Sequence, residues 1–328
     1  MISWILRLSI SPFYYLRTHI QSKYPMKEIR MVDLHSQYLT IKDEIDTAIS
    51  QVIQSTEFIH GYAVKQFQQN LENYLGAKHV IPCANGTDAI QIALMALNLS
   101  PGDEVITTDF TFIAAVEVVM LLGLKPVLVD VDPNTFQISI DGIKKALTHR
   151  TKAIIPVHLF GQCADMENII QIAKERNLSV IEDSAQALGA KYQFLDSRQS
   201  FAGTMGDFGT TSFFPSKNLG CFGDGGAICT NRDDLAQMAR SLINHGMKVR
   251  YYYDNVGVNS RLDTIQAAIL NVKLKSLDNI TCHVKPQPVF MTWLLPPATV
   301  SGFQAGIQNQ PISFINIRWL QMDLTGMI

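Results

Sequence analysis

Apolar positions recur at helical spacing early in the chain. Ile41, Ile45, Ala48, Ile49, Val52 and Ile53 predict a helix over Ile41–Ser55. The same period predicts a second helix over Val64–Leu75, with Gly76 as its stop. Short apolar runs then alternate with amphipathic segments. Strands are expected at 79–83, 104–107, 126–130, 152–158 and 178–182, and helices at 89–97, 112–122, 140–147 and 166–176. This β-α-β-α rhythm predicts an α/β fold with a mostly parallel central sheet wrapped by helices. Two further helices are expected at 232–243 and 262–277. In the second, Leu262, Ile265, Ile269 and Val272 form one apolar stripe suited to core or dimer packing.

The pattern changes at both ends. Residues 1–25 carry Arg7, Arg17 and Lys23 but no acid, and Arg7 interrupts the apolar run Ile2–Ile10. They read as an over-extended start or loose leader before Met26, with a targeting segment as the lesser alternative. Residues 26–278 form the large domain. Residues 279–328 hold only Lys285, Arg318 and Asp323 as charges, gain five prolines and lose periodicity. They are expected to be an aberrant tail.

Composition narrows the function classes. The chain has 328 residues, 47% hydrophobic and 17% charged, with net charge −2. That is a globular protein with no basic run for nucleic acid. Its most apolar internal stretch, Ile113–Val131, contains Glu117 and Lys125 and does not suit a bilayer span. The five cysteines include no C-x-x-C pair, which fits a reduced, cytoplasmic compartment. No residue cluster predicts a metal site.

The candidate chemistry centres on Ser212-Phe213-Phe214-Pro215-Ser216-Lys217, followed by the glycine-rich Gly223–Ala227. A lysine on such a turn can be desolvated, which lowers its pKa and frees its amine for a carbonyl. Upstream, Asn85-Gly86-Thr87-Asp88 joins a strand to a helix and offers free amides to a phosphate. Asp183 follows a strand end, where ligands of parallel sheets sit, and a carboxylate there can hold a protonated ring nitrogen. Gln186 lies one turn on and can reach a phenolic oxygen. Each feature has a plainer reading: a surface lysine, an ordinary N-cap by Asn85 or Thr87, an acid capping a helix. Together they supply what pyridoxal phosphate (PLP) needs. Lys217 attaches it, Asp183 holds its ring nitrogen, Gly86, Thr87 and Ser212 hold its phosphate, and Phe112 gives a flat contact.

Several motifs carry a family resemblance. Gly86-Thr87-Asp88-Ala89, Pro101–Ile106, Pro156-Val157-His158-Leu159-Phe160-Gly161, Ile181–Gln186, Ser212–Lys217, Asn244-His245-Gly246 and Asn259-Ser260-Arg261-Leu262-Asp263 resemble the DegT/StrS-type nucleotide-sugar aminotransferases over about residues 31–278. The resemblance implies the aspartate-aminotransferase fold, fold type I of PLP-dependent transferases, and a homodimer with shared active sites. It implies Lys217 as the Schiff-base lysine, Asp183 and Gln186 as ring partners, and Phe112 stacked on the ring. Gly86, Thr87 and Ser212 would take the phosphate, and Asn259 the phosphate of the neighbouring subunit. The implied reaction transfers an amino group, with glutamate as donor, to a nucleotide-linked keto sugar. A UDP-linked 3-keto sugar or uronic acid fits best, in polysaccharide or amino-sugar biosynthesis. The tail does not resemble the family's small C-terminal domain, so that domain is expected to be incomplete. A catalytically impaired homologue that keeps only cofactor binding or dimerisation is therefore the alternative. A PLP-dependent sugar dehydratase is a third reading, disfavoured because that branch carries histidine where Lys217 stands.

Overall fold

The computed structural model describes residues 32–279. The leader expected at 1–25 and the tail expected from 279 onward lie outside the described residues, apart from Asn279 itself. Helices α1 (Leu34–Thr40), α2 (Lys42–Ser55) and α3 (Tyr62–Leu75) come first. Gly76 ends α3 in the left-handed conformation (φ 64°), the conformation glycine adopts at no steric cost.

The core then alternates. It runs β1 (His79–Cys83), α4 (Gly86–Ala96), β2 (Glu104–Thr108), α5 (Ala114–Leu121), β3 (Lys125–Val129), α6 (Ile140–Ala146) and β4 (Thr151–Ile155). It continues with α7 (Met166–Arg176), β5 (Ser179–Asp183), a small hairpin of β6 (Lys191–Gln193) and β7 (Gln199–Phe201), and β8 (Phe208–Ser212). Last come β9 (Gly226–Thr230), α8 (Asp233–Leu242), a hairpin of β10 (Met247–Val249) and β11 (Tyr252–Tyr253), and α9 (Thr264–Leu274).

Seven strands form one sheet in the order β1-β9-β8-β5-β4-β2-β3. Only β9 runs against the others. Helices cover both faces, so successive strand residues enter different cores. Val105, Ala153, Ile155 and Ile181 face the α4, α5 and α8 side. Ile106, Ile154 and Val180 face the α6 and α7 side. A third core joins α3 and α9 around Phe67, Leu71, Phe213 and Leu270.

Strand β9 is absent from the sequence reading, which took Gly223–Ala227 as loop. It is buried along its whole length, so it lacks the two-residue alternation of a half-exposed strand. Helix α5 begins at Ala114, two residues later than expected, leaving Phe112 on the preceding loop. No helix among the described residues is long and apolar enough to cross a membrane.

Glu104 anchors the start of β2. It is buried, and it accepts from the Thr148 hydroxyl (2.5 Å), the Lys125 ammonium (3.1 Å) and the Arg150 guanidinium (2.9 Å). The Thr148 hydroxyl, helped by the two cations, holds its carboxyl down at about 2 against the opposing effect of burial. A depressed carboxylate contributes stability above its unfolded value, and that contribution is lost as pH falls towards the folded value. Glu104→Gln should therefore cost about 1–3 kcal/mol of unfolding free energy at neutral pH. It should also flatten the stability profile between pH about 4 and 2. Denaturant melts across that range check this; an unchanged acid slope would contradict it.

Candidate active site

The site lies beyond the carboxyl ends of β1, β4, β5 and β8, where open parallel sheets place ligands. Its floor is a close packing of glycines. Cys83 of β1 and Ser212 of β8 both pair with Gly226 of β9, so the ends of three strands lie in one row. A Cβ on Gly226 would meet the Asn85 carbonyl oxygen at 2.3 Å. A Cβ on Gly86 would meet the Ser212 Cβ at 2.7 Å. The two glycines thus let the start of α4 sit directly against Ser212.

Asn85 caps that helix, its side chain accepting from the Asp88 amide at 2.8 Å. The Gly86 and Thr87 amides, in the first turn, have no acceptor within the helix. With the Ser212 hydroxyl and the positive end of the helix they form an anion cradle. Ser260 ties the cradle down from the far side. Its hydroxyl accepts from the Ala84 amide (3.0 Å) and donates to the Asp88 carboxylate (2.6 Å).

Lys217 rides on a loop closed at both ends. The Phe213 amide donates to the Gly225 carbonyl (2.7 Å), and the Cys221 amide to the Phe213 carbonyl (2.8 Å). Within the loop the Lys217 amide donates to the Phe214 carbonyl at 2.8 Å. The Lys217 amine is in no ion pair among the described residues. Burial lowers its pKa, and the charge of Asp183 opposes that shift. Asp183 is 8% exposed. Burial raises its pKa, opposed by the Ala185 amide (3.0 Å), by Lys217 and by His158. Lys217 and Asp183 therefore feel each other's charge without touching.

Two residues to which the sequence reading gave no role hold Asp183 in place. His158 Nδ1 accepts from the Ala164 amide at 3.1 Å, so the ring proton sits on Nε2. That proton is donated to Glu182 Oε2 at 2.8 Å. Glu182 also accepts from the Gly203 amide (2.8 Å) and from the Met205 and Gly206 amides (2.6 Å each). The backbone after β4 pairs with Asp183 at Val157: the His158 amide donates to the Asp183 carbonyl, and the Asp183 amide to the Pro156 carbonyl, both at 2.9 Å. The signal was in the Pro156–Gly161 motif and in two consecutive acids, but their pairing spans 24 residues.

Gln186 Oε1 accepts from the Phe160 amide at 3.2 Å, where Phe160 adopts φ 55°. Phe112 is 69% exposed on the loop after β2. Asn259 is exposed and pairs in a lone bridge with Asn244, next to Ser260. The structure thus brings Gly86 to Ser212 and Lys217 to Asp183. No hydrogen bond or ring contact ties Phe112 or Asn259 to these groups among the described residues.

The residue set fits pyridoxal phosphate. A half-buried amine and a buried carboxylate each lack a close counter-ion among the described residues, and a cradle beside them suits a phosphate. Residues 39–285 match the DegT/DnrJ/EryC1/StrS aminotransferase family. The chain belongs to this family. It is 51% identical over 247 residues to UDP-2-acetamido-2-deoxy-3-oxo-D-glucuronate aminotransferase of Pseudomonas aeruginosa, covering 75% of this chain and 67% of that protein. It is 49% identical over 270 residues to a pleiotropic regulatory protein of Geobacillus stearothermophilus, covering 82% and 71%. Among solved structures, a DegT/DnrJ/EryC1/StrS aminotransferase from Brucella abortus matches with TM-score 0.72 at 41% identity, covering 78% and 72%. NtdA of Bacillus subtilis, solved with bound cofactor PMP, matches with TM-score 0.70 at 35% identity, covering 79% and 58%. The aminotransferases of this family use pyridoxal phosphate.

The cradle gives a direct test. Gly86→Ala puts a methyl group where the helix start meets Ser212. It should weaken binding of pyridoxal phosphate by about tenfold or more, the worth of one lost charged hydrogen bond. Equilibrium dialysis measures this, and an unchanged affinity would place the phosphate elsewhere.

Proposed function

We propose that this chain is a PLP-dependent aminotransferase acting on a nucleotide-linked keto sugar. The favoured substrate is a UDP-linked 3-keto sugar or uronic acid, with glutamate as amino donor. The observation that carries the chemistry is the pair of half-buried Lys217 and buried Asp183, separated and each without a close counter-ion among the described residues. The 51% identity to a UDP-linked 3-oxo-glucuronate aminotransferase supports the substrate class. Lys217 itself argues against the dehydratase branch.

Bound pyridoxal phosphate supplies an electron-withdrawing ring that accepts the electron pair left when a proton departs the amine-bearing carbon. The protein does the rest. Lys217 would hold the cofactor through its amine until an amino donor takes its place. Its amine, once free, would be placed to take the proton from the donor's amine-bearing carbon and to hand it on as general base and then acid. Burial suits this work, because a lysine with lowered pKa is more often neutral near physiological pH. Asp183 would hold the protonated ring nitrogen, and a cation there would favour its charged form against the desolvation that raises its pKa. Its fixed position comes from the His158 backbone and the Glu182 cluster. The Gly86 and Thr87 amides and the Ser212 hydroxyl would hold the phosphate. Phe112 would cover one ring face, and Gln186 would contact the ring hydroxyl. Asn259 serves the phosphate of a second copy, which makes the working unit a homodimer. The reduced, buried thiols of Cys83, Cys163, Cys221 and Cys229 accord with work in the cytoplasm.

Borohydride reduction of the loaded protein, followed by peptide mapping, should place the adduct on Lys217, and Lys217→Ala should abolish it. An adduct on another lysine would overturn the assignment. The pH dependence of attachment carries a second test. Attachment needs the neutral amine, so its rate should rise with pH through a midpoint below the ordinary lysine value of 10.5. Asp183 raises the Lys217 pKa, so Asp183→Asn should move that midpoint lower still. A fixed midpoint would show that the two groups do not interact, and a rise would contradict the sign of the effect.

A further inference from the structure

The loop that carries Lys217 is gripped on its far side by helix α9. Gln266 Oε1 accepts from the Phe222 amide at 2.9 Å. Seven residues on, and so two turns along the same face, the Lys273 ammonium donates to the Gly220 carbonyl. Lys273 is 3% exposed. No acid lies within ion-pair distance of it among the described residues. Its compensation is the carbonyl dipole and the ring of Phe222, whose centroid lies 5.3 Å from the ammonium. A buried lysine without an acid is costly, and an apolar residue would fill a helix face at less expense. Burial holds its amine down at about 8, opposed by Cys221.

The grip transmits to Lys217 because the loop is closed tightly. A Cβ on Gly220 would meet the Pro215 carbonyl oxygen at 2.2 Å and that of Phe214 at 2.8 Å. The Cys221 thiol lies 3.0 Å from the Phe213 carbonyl and 3.1 Å from that of Gly223. These contacts close residues 213–223 into one loop, so a hold on Gly220 and Phe222 bears on the segment that carries Lys217.

We propose that Gln266 and Lys273 form a two-point clasp that positions the Lys217 loop, which makes them positioning residues for Lys217. The functional meaning rests on Lys217 being the attachment lysine. The test uses amide hydrogen exchange of the cofactor-free protein, together with borohydride trapping at subsaturating pyridoxal phosphate. Lys273→Met should speed exchange across 216–223 by about tenfold, the worth of one buried hydrogen bond to a charged donor. Exchange in α4 should stay as it was. Trapping at Lys217 should fall several-fold, and Lys273→Arg, which keeps a donor, should restore both readouts in part.

A general loss of stability would instead speed exchange evenly in α4 and the loop, and that result overturns the clasp. Unchanged loop exchange and trapping also overturn it. If Lys273→Met does not fold, Gln266→Leu frees the Phe222 amide alone and is judged by the same two readouts. If wild-type trapping maps to a different lysine, the functional reading fails while the exchange measurement still decides the clasp.

Discussion

Burying a charge without a counter-ion is the constraint on which this structure turns. At the end of β5 two acids follow one another, and strand geometry sends them to opposite sides. Glu182 goes into the protein and is saturated by three amides and the His158 ring. Asp183 goes towards the site and receives one amide. The first is a structural anion whose charge is fully met. The second keeps an unmet demand for a cation, which is what a site needs if it is to hold a protonated ring. Across from it, Lys217 carries the complementary demand, since burial disfavours its ammonium. Neither group can meet the other's demand directly, because the loop and the strand hold them apart.

That separation depends on backbone packing. Gly86 against Ser212, Gly226 against Asn85 and Gly220 against Pro215 are three places where a single Cβ would meet heavy atoms at 2.7 Å or less. Removing side chains at these points brings the helix start, the end of β8 and the Lys217 loop together. The sheet supplies the rigid base: helices pack on both of its faces, and β9 reverses direction between β1 and β8 to bring their ends into one row. The chemistry thus sits on strand ends and on a short, closed loop.

Much of this was legible in the sequence because the signals are local. Gly86-Thr87 at a strand–helix junction, Asp183 at a strand end and Lys217 on a turn can each be read from a few neighbours. The parallel sheet follows from the alternation of strands and helices. What the sequence hid is non-local or lacks a period. Strand β9 begins inside a glycine run and is buried throughout, so neither composition nor alternation marks it. The His158–Glu182 pairing joins residues on neighbouring strand ends, far apart in the chain. Lys273 looks like a solvated lysine beside the stripe of Leu262, Ile265, Ile269 and Val272. In the fold α9 is buried over most of its circumference, so the lysine goes inward. Phe112 and Asn259 could be named from the resemblance, yet both are exposed, and nothing along the chain indicates what they face.

The central claim is that a lysine amine and an opposed carboxylate prepare this site for amino-group transfer. The most direct measurement is the visible absorption spectrum of the purified protein loaded with pyridoxal phosphate, before and after glutamate is added. The account predicts a visible band from the cofactor attached to Lys217. Glutamate should bleach that band, and a keto-sugar nucleotide should restore it. A protein that shows no such band, or a band that glutamate leaves unchanged, would contradict it.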